Sequence, residues 1–245
     1  MLCSPAAPVR AGGARDRSLA QLPEGVPLVT ALLDLDRPLP PAGTLPERSA
    51  VIPPPQLPHV QRELIARATA AGPRWQSLAR MQLSEQEIGM GRHNDHANAR
   101  VLRRIIGEYG WPGVPLVGED GATAAWQIAL RADTDAFVQR AAARAMHAAT
   151  QRGTASIRQW AHLHDRCLLN ADLPQHFGTQ YLRGADGLEL EPVTDPDTLD
   201  ARRAEVGLPP AADALRDLRL RLAAAPRTSD QKNDGTSTAS PTESA

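Results

Sequence analysis

The residue types best suited to chemistry are concentrated between Trp160 and Leu208, where Asp165, Arg166, Gln175, Thr179, Gln180, Arg202 and Arg203 follow one another. Earlier parts of the chain add Asn98, Trp111 and Asp133. A carboxylate beside an arginine can orient or deprotonate a substrate hydroxyl or amine. Gln and Thr side chains can hold a carbonyl or an amide. On those grounds Asp165, Arg166 and Asp133 are the catalytic candidates. Asn98, Trp111, Gln175, Thr179, Gln180, Arg202 and Arg203 are the ligand-binding candidates. The same residue types also gather in buried ion networks. Asp165 or Asp200 paired with Arg166, Arg202 or Arg203 would fix a hairpin to the helices and do no chemistry.

Other chemistries find less support. His93-Asn94-Asp95-His96 and His162-Leu163-His164-Asp165 resemble ligand clusters. Residues two apart on a helix diverge by about 200°, so His162 and His164 cannot share a metal. His93 and His96 could, but structural zinc needs four convergent ligands and no cysteine pair supports them, so no metal and no cofactor is expected. His164 on an apolar stripe reads as a hydrogen-bonded core histidine. Cys167 lies near His164 and beside Arg166, which could lower a thiol pKa, yet a buried cysteine is ordinarily an inert small hydrophobe. There is no G-x-S-x-G turn, and the one lysine, Lys232, sits in a polar tail far from any phosphate-binding loop.

The elements that must position these groups read as helices. Val60, Leu64 and Ala68 recur at helical spacing and Gly72-Pro73 marks a stop. A second helix is expected over about 74–88 and a third over 92–108, whose apolar stripe extends back to Asn98, Asn94 and Asp95. Gly110 ends it, and Trp111-Pro112-Gly113 makes a turn. Further helices are expected over about 120–132 and 134–152, and from an N-cap at Thr154. Pro174 breaks the last of these. Alternation on both sides of Gly184-Ala185-Asp186-Gly187 predicts a β-hairpin. Asp195, Pro196 and Gly207 punctuate a short helix, and Leu215, Leu218 and Leu222 lie along a final one over about 211–225. The expected fold class is mainly α: a single domain of seven to eight helices with one small β-hairpin.

Composition sets the domain limits. Residues 1–58 are crowded with proline, which excludes regular helix or central strand. Within that arm Val26–Leu35 is expected to pack on the domain as a short strand or one or two helical turns. Residues 226–245 hold no apolar side chain larger than alanine and are expected to be disordered. The helical domain is therefore placed at 59–225. A formal net charge of −1 argues against a nucleic-acid partner, and eight aromatic residues in all leave little for base stacking. The N-terminus lacks the apolar core of a secretory signal, and Val26–Leu35 is shorter than the roughly 20 residues of a membrane span. Two cysteines, one of them in the arm, imply no disulfide framework. The expectation is a cytoplasmic protein with no membrane association.

The ordered series Asp95-x-x-Asn98, Gly110-Trp111-Pro112, Ala132-Asp133, Asp165-Arg166, Gln175-x-Phe177-Gly178-Thr179-Gln180 and Arg202-Arg203-x-x-x-Gly207-Leu208 resembles the bacterial domain-of-unknown-function family DUF6624. The resemblance covers about 92–208. That family reads Gln-His before Ala-Asp, where this chain has Leu130-Arg131, and Tyr where this chain has Phe177. If the histidine is a general base in relatives, this chain either works by different chemistry or only binds. Two readings follow. One is a small-molecule site, catalytic or binding, between helices and hairpin. The other is a protein-interaction or regulatory, immunity-type module whose polar cluster is a structural salt-bridge network. On the first reading Asp165 and Gln180 face one interior cleft, and Gly178 leaves room there for a ligand or a second backbone.

Overall fold

Seven α-helices and a three-stranded sheet make up the described part of a computed structural model, which covers residues 28–30, 54–184 and 187–224. In chain order these are β1 (Leu28–Thr30), α1 (Pro58–Ala79), α2 (Glu85–Tyr109), α3 (Val114–Leu130), α4 (Ala136–Gln151), α5 (Ile157–Leu169), β2 (Gln180–Gly184), β3 (Gly187–Leu190), α6 (Leu199–Glu205) and α7 (Ala211–Ala224). The expected disorder of the arm and the C-terminal tail falls outside the described residues, apart from β1.

The first helix corrects the sequence reading. Gly72-Pro73 does not stop it, and α1 continues with Pro73 inside. An interior proline costs roughly 3 kcal/mol. What offsets that cost is burial of Trp75, which continues the line Val60, Leu64, Ala68 and Ala71 into the core. The helix expected over 74–88 is accordingly divided, with its start in α1 and its end in α2. Ser84 opens α2 with a capping box: its side chain accepts from the Glu87 N–H while the Glu87 carboxylate accepts from the Ser84 N–H at 2.8 Å. Gly110 closes α2 at a positive φ of 76°.

Helix α3 is the centre of the bundle. Val117, Ala124, Trp126, Ile128 and Leu130 are all buried, an apolar surface too wide for one exposed amphipathic face. Gly118 kinks it near its start, with φ 68°. The Trp126 indole N–H donates to the Gln159 carbonyl at 2.7 Å, which ties α3 to α5. Ser156, two residues beyond the expected Thr154, caps α5 by accepting from the Gln159 N–H. Asp135 does the same for α4 through the Val138 N–H.

Gly113 sits where α3 begins and the loop before α5 crosses. A methyl group there would lie 2.3 Å from the Thr154 carbonyl oxygen, and that carbonyl accepts the Val114 N–H at 3.1 Å. Gly113→Ala must therefore push the two segments apart. The expected cost is about 1–3 kcal/mol, read as a lower thermal midpoint by circular dichroism.

The expected hairpin is present and is extended by a third strand. β2 pairs antiparallel with β3, with Tyr181 opposite Leu190 and Arg183 opposite Leu188. β1, from the proline-rich arm, pairs antiparallel with the other edge of β2, Val29 opposite Tyr181. Tyr181 and Leu188 pack with Leu218, so α7 covers the sheet, and Phe177 joins Ala161, Val206 and Leu208 to seat α6. Asp195 does not cap α6. It takes a left-handed φ of 45° ahead of a short 3-10 turn, and Thr198 leads into the helix. Among the described residues, no helix is long and apolar enough to cross a membrane.

Candidate functional site

Two polar regions meet at Arg166. The first joins α5 to the segment before β2. Asp165 is fully buried and accepts hydrogen bonds from the backbone N–H groups of His176 at 2.8 Å, Phe177 at 3.0 Å and Thr179 at 3.0 Å, and from the Thr179 hydroxyl at 2.9 Å. Burial pushes its carboxyl above the ordinary carboxylate value, and these donors oppose the rise. Gln175 acts as a piece of strand. Its amide donates to the carbonyls of Gln180 and Glu191, each at 3.0 Å, and its oxygen accepts the Gln180 N–H at 2.7 Å. The Gln180 side chain donates to the His162 carbonyl and the Thr179 hydroxyl and accepts from Arg166.

Asp165 and Gln180 thus share one interior through Thr179, as their helix phase and strand position suggested. Gly178 leaves room for something other than a ligand: a methyl group there would stand 3.3 Å from both Leu199 and Val193, and its φ is +61°. The two adjacent arginines of α6 complete the region. Arg203 donates to the carbonyls of Phe177 at 2.7 Å, Gly178 at 2.9 Å and Pro209 at 2.6 Å. Arg202 donates to those of His176, Thr194 and Asp195. Asp200 pairs with neither and accepts the Ala211 N–H at 2.8 Å, at the start of α7.

The second region lies at the C-terminal end of α3 and along the facing sides of α1 and α2. Arg166 reaches Asp133 with two nitrogens, Nε at 2.8 Å and Nη2 at 2.5 Å. Asn170 adds a donor to Asp133 at 2.9 Å, and the buried Gln139 another at 3.1 Å. Burial works to raise the Asp133 carboxyl, but the Arg166 charge, these hydrogen bonds and the Arg131 charge outweigh it and hold the group at about 2.

A carboxyl whose folded pKa is depressed adds stability above its unfolded value of about 4, and that stability is lost as pH falls through about 2. Because the Asp133 side chain is 36 % exposed, solvent screens the pair. Its contribution is therefore about 1 kcal/mol. Wild type and Asp133→Asn should differ by that amount at pH 5 and converge only below about pH 2 in acid titrations followed by urea unfolding.

Next to Asp133 stands Arg131, only 6 % exposed. Its guanidinium carbon is 5.9 Å from the Trp75 ring centroid. Burial, and then the charge of Arg166, push its pKa down to about 10, so it remains a cation at neutral pH. Asp95 and Asp133 supply the opposing charge. Asp95 accepts from Arg74 and from the Trp75 indole, the latter at 3.0 Å. Beside Arg74 an open cleft of about 450 Å³ runs between α1 and α2, walled by Glu63, Arg67, Arg74, Asn94 and Asn98. Arg67 donates to the Asn98 side-chain oxygen at 3.2 Å and to Glu63.

Of the sequence candidates, Asp133, Asp165, Arg166, Gln175, Thr179, Gln180, Arg202 and Arg203 form one connected hydrogen-bonded set, and Asn98 lines the cleft. Trp111 joins neither group, being buried in the main hydrophobic core. Cys167 is buried, and burial pushes its thiol up to about 12, far from a thiolate at neutral pH. His164 stacks on Trp160 at 5.0 Å, and burial lowers its pKa. His93 and His96 are exposed on α2, and among the described residues no three metal-binding side chains converge.

Arg74, Trp75, Gln139 and Asn170 were missed in the sequence. A buried glutamine in an alanine-rich helix was the one signal available for Gln139. Arg74 and Trp75 were hidden by the assumption that Pro73 ends α1.

No curated protein and no solved structure matches the chain. Residues 58–223 match DUF6624, described as a family of unknown function, and the matched span contains α1 to α6 and most of α7. With a family model matched over residues 58–223, more than half of its length, the chain belongs to the DUF6624 family.

Proposed function

We propose that the protein binds a small molecule in the cleft between α1 and α2, and that the network from Asp133 to Arg203 is the scaffold that holds the helices and sheet in place. The observation that carries this reading is the cleft itself, an open space of about 450 Å³ with Arg67, Arg74, Asn94 and Asn98 on its walls. Ligand sites combine a concave, partly apolar surface with a few placed polar groups, and Ala66, Ala70 and Ala97 provide the apolar part. The proposal includes a cytoplasmic setting, supported by the free, buried Cys167.

Ala70 is exposed in the cleft, so Ala70→Trp fills the space without touching the core. Native mass spectrometry of protein purified from its own host is expected to show a bound small molecule on wild type that Ala70→Trp has lost. Equal retention by the variant, or wild type free of any bound molecule, would count against the cleft. A second reading, an interaction or regulatory module, is favoured by a separate observation: Asp165, Gln175 and Gln180 spend their polar atoms on the protein itself. Under that reading Ala70→Trp has no effect on small molecules and the exposed faces carry the activity.

A further inference from the structure

Arg131 is the one residue of the second polar region whose position its own protein contacts leave unexplained. Its Nε is buried with no hydrogen-bond partner, while the residue as a whole is only 6 % exposed. A guanidinium carries five donors in a fixed fork, and leaving a buried donor unmade is costly. The two carboxylates that balance it electrostatically are already engaged, Asp95 by Arg74 and Trp75, and Asp133 by Arg166, Asn170 and Gln139. The Trp75 ring contributes a cation–π contact but accepts no fork of hydrogen bonds.

The local charge count points the same way. The charged groups that act most strongly on Arg131 include Arg166, Asp133, Asp95 and Arg74. With Arg131 itself there are three cations and two anions, a surplus of one positive charge. One monoanion neutralises the group, whereas a phosphate dianion would overshoot it. A planar carboxylate also matches the guanidinium fork with two parallel hydrogen bonds.

We propose that Arg131 is the anchor for a single carboxylate of the small molecule that this protein binds; Arg131 stands behind the α1–α2 cleft, next to Arg74, which lines the cleft and pairs with Asp95. The proposal rests on the small-molecule reading above and specifies its ligand class as a monocarboxylate. A guanidinium that stays protonated holds an anion and does not shuttle protons.

The test uses the full chain and the Arg131 Nε–H signal in a proton–nitrogen NMR spectrum, assigned by its disappearance in Arg131→Met. Sodium acetate is the probe, with sodium chloride and inorganic phosphate at equal ionic strength as controls. Acetate is expected to move the signal saturably, with an affinity on the order of millimolar to tens of millimolar for so small a fragment. Backbone signals of Arg74, Trp75 and Asp95 should move with it. In Arg131→Met those backbone shifts are expected to weaken by about tenfold or more. Arg131→Lys, which keeps the charge and loses the fork, should give an intermediate loss and serves if the methionine variant does not fold.

No saturable acetate shift in wild type, an undiminished one in both variants, or saturation by phosphate in place of acetate would each overturn the assignment. Any of these would leave the cleft reading intact if a neutral molecule still co-purifies and is lost in Ala70→Trp. Failure of both experiments removes the cleft as well.

Discussion

Asp165→Ala is expected to lower the free energy of unfolding by about 3–5 kcal/mol, because the backbone N–H groups of His176, Phe177 and Thr179, the last two buried, lose their acceptor together. A domain of this size has roughly 5–15 kcal/mol in all, so the variant should unfold at a much lower urea concentration. Asp165→Asn should fall between the two. Its amide keeps one acceptor oxygen but points an NH2 at donors that have nowhere else to turn. Equilibrium urea unfolding followed by tryptophan fluorescence measures both. If either variant keeps wild-type stability, the carboxylate is not the pin between α5 and the segment leading into β2.

Arg203→Met is expected to cost about 2–4 kcal/mol and to loosen one place in particular. The guanidinium joins three carbonyls from two segments, Phe177 and Gly178 on one side and Pro209 on the other. Each buried carbonyl left without its donor costs about 1–3 kcal/mol, less what water recovers. Methionine restores much of the volume, so the loss reports on hydrogen bonding more than on packing. Hydrogen exchange should show the Thr179 and Gln180 amides losing protection while those of α3 lose far less. Uniform loss across the molecule would mean that α6 and the sheet cannot open separately from the helical core.

These variants act on the part of the molecule that was most legible in the sequence. The apolar spacing of α1, α2 and α5, the stop at Gly110, the hairpin around Gly184–Gly187 and the left-handed Gly207 are local signals, each decided within a turn or two of its own residue. The helix phase of Asp165 and the position of Gln180 placed both in one interior for the same reason. What the sequence could not convey was non-local. Pro73 reads as a stop, yet Trp75 buried against the core and Arg74 on Asp95 carry the helix past it. β1 lies in a proline-rich arm, and its pairing partner is about 150 residues away in the chain, so no window of the sequence joins them. Gly178 has the composition of a ligand-accommodating glycine and is instead packed against Leu199 and Val193. Arg131 was visible only as a departure from the family motif. Its burial, and the engagement of both nearby carboxylates elsewhere, depend on five separate stretches of chain meeting at the end of α3.

The buried polar residues divide into those that hold the fold and one, Arg131, that does not. Gln180 and Arg131 are one from each class, both buried, both polar, and separated by the Arg166–Asp133 pair. Equilibrium urea unfolding of Gln180→Ala beside Arg131→Met, in buffer free of carboxylates, compares them directly. Gln180→Ala leaves the His162 carbonyl without its Gln180 donor and takes from Arg166 the acceptor it had there, and is expected to lose about 2–3 kcal/mol. Arg131→Met removes a buried cation whose neighbouring carboxylates keep their own partners, and is expected to stay within about 1 kcal/mol of wild type or exceed it. An Arg131→Met protein that unfolds as readily as Gln180→Ala would contradict the division and return Arg131 to the scaffold.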